Sequence, residues 1–369
     1  MKASTLAILG MVGLASVGWA GQTGPVEALD GVDPVLLIQG KEVSGKADLK
    51  VVRGQFEYLF SSPATKATFE SDPARYEIQM GGLCARMGKA TGGRPADYLV
   101  YEGKIYVFGS DECHKKFEAD PKKYLAAPVS PIAPSGRAVT DGRALLDRAV
   151  ATVGGSKKLA AINTYVETAS QIQKRPSGDV PMTIKTMWRF PDAVRMERTM
   201  TIQERTVSSA TLMTPAGMWY LSQGRAYPAL EAGRPSMQLD YGRQIVPLLR
   251  SSREPGANIA SLGKGTVQGI TVERVRVVNG AVDVTLGLDP ASARIQTISF
   301  MDRNAEGEVG EFTIVYSDYR EASGLTLPFA ERALFKDSED TLLSRRLTSI
   351  DINTALDAAL FQPVAAGRR

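Results

Sequence analysis

A single histidine, His114, and two cysteines, Cys84 and Cys113, are all that 369 residues supply of the two residue types most used for metal and nucleophile chemistry. One histidine cannot build a His-Glu-x-x-His zinc site. The chain also lacks a Gly-x-Ser-x-Gly elbow and a phosphate-cradling glycine loop, so no hydrolase or nucleotide apparatus is assembled in it. Charge is equally uninformative as a partner signal: 44 Lys and Arg face 40 Asp and Glu, interspersed along the chain. No basic stripe is present to track a phosphate backbone, and nucleic acid is set aside as a partner. Apolar runs are short. The longest opening one, Leu6 to Ala15, falls well under the roughly 20 residues of a membrane-spanning helix, so no stable transmembrane anchor is expected.

That short run has another meaning. Residues 1–20, "MKASTLAILGMVGLASVGWA", join Lys2 to an apolar core and a small-x-small end at Gly18-Trp19-Ala20, the pattern of a secretory signal peptide cut before Gly21. No cysteine follows the core to carry a lipid and no twin arginine precedes it. The expected location is across the inner membrane, in the periplasm. With 43% hydrophobic and 23% charged residues, what remains is ordinary globular composition with material for two cores.

A Pro-rich stretch divides the chain. Pro128, Pro131 and Pro134 interrupt residues 126–139, which neither a helix nor a central strand tolerates, and the stretch reads as a linker between a module at 28–125 and another at 140–363. The first module repeats itself. "FSSPATKATFESDPARY" from Phe60 aligns without gaps on "FGSDECHKKFEADPKKY" from Phe108, matching Ser62 with Ser110, Phe69 with Phe117, Asp72-Pro73 with Asp120-Pro121 and Tyr76 with Tyr124. Each half predicts a short strand (Phe56 to Phe60; Lys104 to Phe108), a serine cap, a two-turn helix with one buried Phe, and an Asp-Pro stop. Cys113 and His114 align with Thr65 and Lys66, so the repeat does not itself require them.

Together with "LDGVDPVLLIQGKEVSG" and "GGLCARMG", these segments make the module resemble the YHS domain, a relative of the TRASH metal-binding modules. The resemblance implies handling of soft or transition metals through cysteines. Two positions depart from that pattern: Val35-Leu36 and Gly109 stand where relatives carry cysteine. The residues themselves leave three readings open for Cys84 and Cys113: a disulfide, favoured by an even count in an oxidising compartment; a metal site; or inert thiols. Zinc would need further ligands beyond two Cys and His114, whereas copper(I) accepts soft sulfur alone, and Met80 and Met87 flank Cys84. Copper or zinc is thus the candidate cofactor, and core filling is the bland account of both methionines.

The second module opens with "TDGRALLDRAVATVGG". Leu145, Leu146, Ala149, Val150 and Val153 share a helical face, with Thr140 or Asp141 as cap and Gly154-Gly155 as stop. Alternating sequence follows: Met182, Ile184, Trp188 and Phe190 oppose Thr183, Lys185 and Arg189, and Val194 and Met196 oppose Arg195 and Glu197. Asn279-Gly280 predicts a hairpin turn before Val282, Val284, Leu286 and Leu288. About ten to twelve strands are expected, in one strongly curved antiparallel sheet. The opening helix, "DYREASGLTLPFAERALF" and "SIDINTALDAALFQP" are similar to the Lol-type periplasmic lipoprotein carriers. That resemblance implies an α+β half-barrel with helices on its concave side and an apolar cavity. Met182, Ile184, Trp188, Val194, Met196 and Trp219 are its candidate lining, with Arg198 facing an acidic head group or standing at an exposed rim. The expectation is an exported binding protein rather than an enzyme. It would carry or sense a lipid or other apolar molecule, with an envelope protein as a further partner, and metal handling by the first module is the alternative.

Overall fold

The computed structural model of the chain describes residues 24–125, 135–174, 178–202 and 205–363. The signal segment and residues 126–134 of the linker lie outside them. The chain divides into two compact units, one running to Leu125 and grouping also Glu306–Glu308, the other comprising the rest.

The first unit is built twice over. Strands β1 (Val26–Glu27), β2 (Lys46–Arg53) and β3 (Phe56–Phe60) form a three-stranded sheet in the order β1-β3-β2, with α1 (Pro34–Ile38), α2 (Pro63–Ser71) and α3 (Pro73–Tyr76). Strands β4 (Leu83–Cys84), β5 (Gly88–Gly92), β6 (Arg94–Tyr101) and β7 (Lys104–Phe108) form a second sheet in the order β5-β4-β7-β6, followed by α4 (Asp111–Ala119). The repeat seen in sequence is a structural one. Ser62 caps α2 by accepting from the Thr65 amide, and Ser110 caps α4 by accepting from the Cys113 amide. Both helices end at the Asp before Pro, because that proline has no N–H for the next helical bond. Phe69 and Phe117, one per helix, are fully buried, each at the centre of its own core.

The second unit opens with α5 (Gly136–Val153) and α6 (Ser156–Ala160). The α5 helix starts earlier than the linker reading placed it: Ser135, not Thr140 or Asp141, is the cap, and 136–139 are helical. Its buried stripe is Leu146, Ala149, Val150 and Val153, with Leu145 half-buried beside it, and Gly154 ends it as expected. There follow β8 (Thr164–Gln173), β9 (Val180–Arg189), β10 (Ala193–Ile202), β11 (Arg205–Thr214), β12 (Gly217–Ser222) and β13 (Arg225–Pro228). Two helices absent from the sequence reading come next, α7 (Arg234–Gly242) and α8 (Ile245–Ser251). The chain then continues as β14 (Asn258–Val267), β15 (Ile270–Asn279), β16 (Val282–Leu288), β17 (Ile295–Arg303), β18 (Val309–Ala322), β19 (Leu325–Phe335) and β20 (Leu343–Ile352).

All thirteen of these strands belong to one open antiparallel sheet, in the order β13-β12-β11-β10-β9-β8-β20-β19-β18-β17-β16-β15-β14. Turn chemistry sets its registers. Ser323 and Gly324, both at positive φ, close the β18–β19 hairpin, the pair of left-handed residues that a tight two-residue turn demands. The β15–β16 loop is Gly280-Ala281, one residue later than predicted, because Asn279 pairs with Val282.

Curvature follows from contacts made by one helix. Tyr241 of α7 hydrogen-bonds Thr211 of β11, while Gly242 of the same helix lies so close to Val282 of β16 that an added Cβ would meet it at 2.5 Å. Strands β11 and β16 are eight positions apart in the sheet, about 38 Å if it were flat, which a helix about 10 Å wide cannot bridge. The sheet therefore wraps around the helices as a half-barrel. A single core on the concave face unites α5, α7 and α8 with strands from both halves, and a smaller one on the other face packs Val166, Met187 and Leu212 under Phe361.

Candidate functional site

In the first unit the two cysteines meet. Strand β4 places Cys84 beside β7, and Cys113 sits in the first turn of α4, where Ser110 holds its amide. Both thiols are free and buried, and they hydrogen-bond to one another. That bond, aided by Ser110 and by Arg86, whose Nη1 reaches Cys113 Sγ at 3.8 Å, draws Cys113 below the ordinary thiol range. Cys84 is pushed the opposite way, first by the same bond and then by burial. The pair thus favours the charged form at Cys113 and the neutral form at Cys84.

His114, though next in sequence, is committed elsewhere. Its Nδ1 lies 2.5 Å from Asp97 Oδ1, and its ring stacks on Phe108 at 4.5 Å. Met80 and Met87 pack half-buried against the cluster of Cys84, Cys113 and Phe117. Among the described residues no three His, Cys, Asp or Glu side chains gather as a metal would require. The two sulfurs, with His114 engaged by Asp97, do not supply the four ligands of a tetrahedral zinc ion, and they are the soft donor type that copper(I) favours.

In the second unit a cavity of about 550 Å³ opens between α7, α8 and the sheet. Its wall takes Trp188 from β9, Phe190 from the turn after it, Val194 from β10, Met213 from β11, Tyr241 from α7 and Val282 from β16. Trp188 and Val194 are register partners, so alternation puts both on the concave face. Met182, Ile184, Met196 and Arg198 share that face but stand further along the strands, outside the cavity wall. Met182 and Ile184 are buried there, and Arg198 is half-exposed. Trp219 points to the opposite face, half-buried against the Phe361 cluster. The cavity does not lie under α5, whose stripe is packed into the core.

Polar atoms on the wall are mostly engaged. Tyr241 bonds Thr211, Arg234 bonds Glu231 at 2.7 and 3.0 Å, and Arg250 donates to the Leu159 carbonyl with its guanidinium 4.3 Å over the Phe190 ring. Burial pulls the Arg250 guanidinium below its usual range. The Trp188 indole Nε1 is buried without a hydrogen-bond partner.

A second cluster on the concave face was invisible in the sequence. Arg345 of β20 donates from Nη1 to Glu331 Oε1 at 2.7 Å and from Nη2 to Glu167 Oε2 at 2.6 Å, and Tyr165 donates to Glu167 Oε1 at 2.6 Å. All four are buried, and burial lifts the Glu331 carboxyl above its ordinary range.

The YHS domain family model matches residues 90–127, which take in the second repeat with Cys113 and His114. No curated protein sequence matches the chain. Solved structures similar to it include one described as an outer membrane lipoprotein-sorting protein domain from Vibrio parahaemolyticus, at 12% identity and a TM-score of 0.40, and a LolA superfamily protein from Nitrosomonas europaea, at 11% and 0.42. A DUF1329 family protein from Desulfovibrio piger stands at 10% and 0.36. Each likeness covers 60% of this chain and 97% of the other. Among the described residues no helix is long and apolar enough to cross a membrane.

Proposed function

We propose that the protein is an exported binding protein, not an enzyme, whose half-barrel carries or senses an apolar small molecule or lipid and hands it to an envelope partner. The observation that carries this reading is the cavity of about 550 Å³ walled by Trp188, Phe190, Val194, Met213 and Val282. Its volume falls in the usual range for small-ligand sites, roughly 300–1,000 Å³, and the larger part of its exposed lining is apolar, with Asp192, Arg234, Arg250 and Glu254 also bordering it. The test uses the full chain and the neutral dye phenylnaphthylamine. Binding should raise dye emission and quench tryptophan, and Met213→Trp, which fills the cavity, should abolish both while the fold persists by circular dichroism. Unchanged dye binding in that variant would place the site elsewhere. Export is supported by the residue 1–20 pattern, and amino-terminal sequencing of periplasmic material should begin at or near Gly21.

A second reading rests on the facing cysteines of the first unit. Copper(I) held by Cys84 and Cys113 accords with soft-ligand chemistry and with a low-pKa Cys113 at a helix start. Elemental analysis of protein purified under reducing conditions should find copper that Cys113→Ser loses. Metal-free protein after copper(I) exposure would remove this reading.

A further inference from the structure

Resting on the cavity-binding reading, we propose that the ligand is an apolar monocarboxylate such as a single-chain fatty acid, its head group held by the guanidinium of Arg250. Pro247, Arg250 and Ser251 of α8 all line the cavity, and their spacing of three and four residues puts them on one face of that helix. Arg250 is anchored there at two points. It donates from Nη1 to the Leu159 carbonyl, and its guanidinium carbon stands 4.3 Å from the centre of the Phe190 ring, which lines the same cavity. Neither contact neutralises the charge, and Arg250 forms no ion pair among the described residues. Its Nε and Nη2 make no hydrogen bond there and are not buried. Burial of the rest of the group removes part of the cation's hydration, which a bound anion would offset.

The other charges on the wall decide which anion fits. Arg234 is already forked onto Glu231 at 2.7 and 3.0 Å, so Arg250 is the wall cation with donors to spare. A guanidinium offers paired N–H groups that match the two oxygens of a carboxylate, and stacking on an aromatic ring fixes the plane in which it offers them. Asp192 and Glu254 also border the cavity, but both are exposed. Charges facing bulk water interact about fourfold more weakly than a pair near the protein surface, so these two temper the attraction without cancelling it. They do favour the lower ligand charge: a phosphate monoester, with nearly two charges, is opposed about twice as strongly as a carboxylate with one. The hydrocarbon remainder lies against Val194, Met213 and Val282.

Probes of matched chain length separate the possibilities on the full protein: decanoate, decanol, decylammonium and decyl phosphate, each titrated near neutral pH by displacement of phenylnaphthylamine. Decanoate should bind about tenfold more tightly than decanol, the value of hydrogen bonding to a charged group after desolvation, and more tightly than the other two. In Arg250→Gln decanoate should lose that advantage while decanol binds as before. Equal decanoate and decanol affinities in the wild type, or an advantage that survives Arg250→Gln, would overturn the head-group assignment and leave the cavity reading standing. Tighter binding of decylammonium or decyl phosphate would overturn the choice of a carboxylate. Failure of all four to displace the dye would remove the cavity reading and this assignment with it. If Arg250→Gln does not fold, the carboxyl resonance of carbon-13-labelled decanoate decides in the wild type: titration below that of the free acid supports a cation at the head group, and titration at or above it refutes one.

Discussion

Replacing Arg345 by Met should destabilise the half-barrel by about 3–5 kcal/mol, the range for breaking a buried ion network from one side. The structure supplies the reason. Arg345 is the partner of two carboxylates, at 2.7 and 2.6 Å, and all three side chains are only 7–8% exposed. A methionine fills similar volume but leaves Glu167 and Glu331 facing one another without a cation. The Glu331 carboxyl, which burial already holds above its ordinary range, then loses its cation, so the folded state binds more protons than the unfolded one. By linkage, the variant's stability must fall as pH rises through the interval between the unfolded and folded values and recover as pH drops. The deficit against wild type is therefore expected to be largest at about pH 7 and smaller at about pH 5. Urea unfolding followed by tryptophan emission is the assay, since Trp188 and Trp219 both lie in this unit. A deficit under about 1 kcal/mol at neutral pH, or one that grows on acidification, would refute the reasoning. A companion triple variant, Arg345→Met with Glu167→Gln and Glu331→Leu, removes every formal charge and should recover most of the loss.

Gly142→Ala improves helix propensity by about 1 kcal/mol yet should lower stability by about 1–3 kcal/mol, because the new Cβ would stand 2.6 Å from the Ser261 amide nitrogen of β14. Thermal melts distinguish the two signs. Phe117→Ala should cost about 3–5 kcal/mol in the first unit and leave dye binding by the second unit intact, as urea titration and fluorescence would report. For the thiols, thiolate absorbance of the reduced protein should persist below neutral pH, because the Cys113 pKa is lowered. Its contribution to stability is present above the unfolded thiol value and lost as pH falls through the folded one. Cys84→Ala should shift that titration upward, since the hydrogen bond from Cys84 is the leading cause.

Local signals carried much of this architecture. Ser62 and Ser110 as caps, the Asp-Pro stops, and Phe69 and Phe117 as buried anchors depend on side chains acting on backbone within a few residues, so the duplicated unit was legible in one dimension. Period-2 alternation likewise placed Trp188 and Val194 on the same face, because a strand's side chains must alternate whatever the fold. What alternation cannot say is how far along a strand a cavity extends, or what covers a face. Met182, Ile184, Met196 and Arg198 share the concave face with the cavity but stand further along the strands, and Trp219 lies on the far side because β12 is registered by its pairing with β11.

The remaining features needed the whole chain to close. Tyr241 and Arg250 reach the cavity wall from two short helices whose positions depend on the sheet's curl, and Val282 arrives from a strand eight places away from β11. Glu167, Glu331 and Arg345 come from β8, β19 and β20, spread over 178 residues, and each reads in sequence as an ordinary surface charge. Only strand order makes them neighbours, and only burial, by removing water, turns their proximity into a strong interaction. Cys84 and Cys113 make the same point at smaller scale. Composition supplied two thiols, but the parallel pairing of β4 with β7 at the start of α4 put one in reach of the other and pushed their titrations in opposite directions.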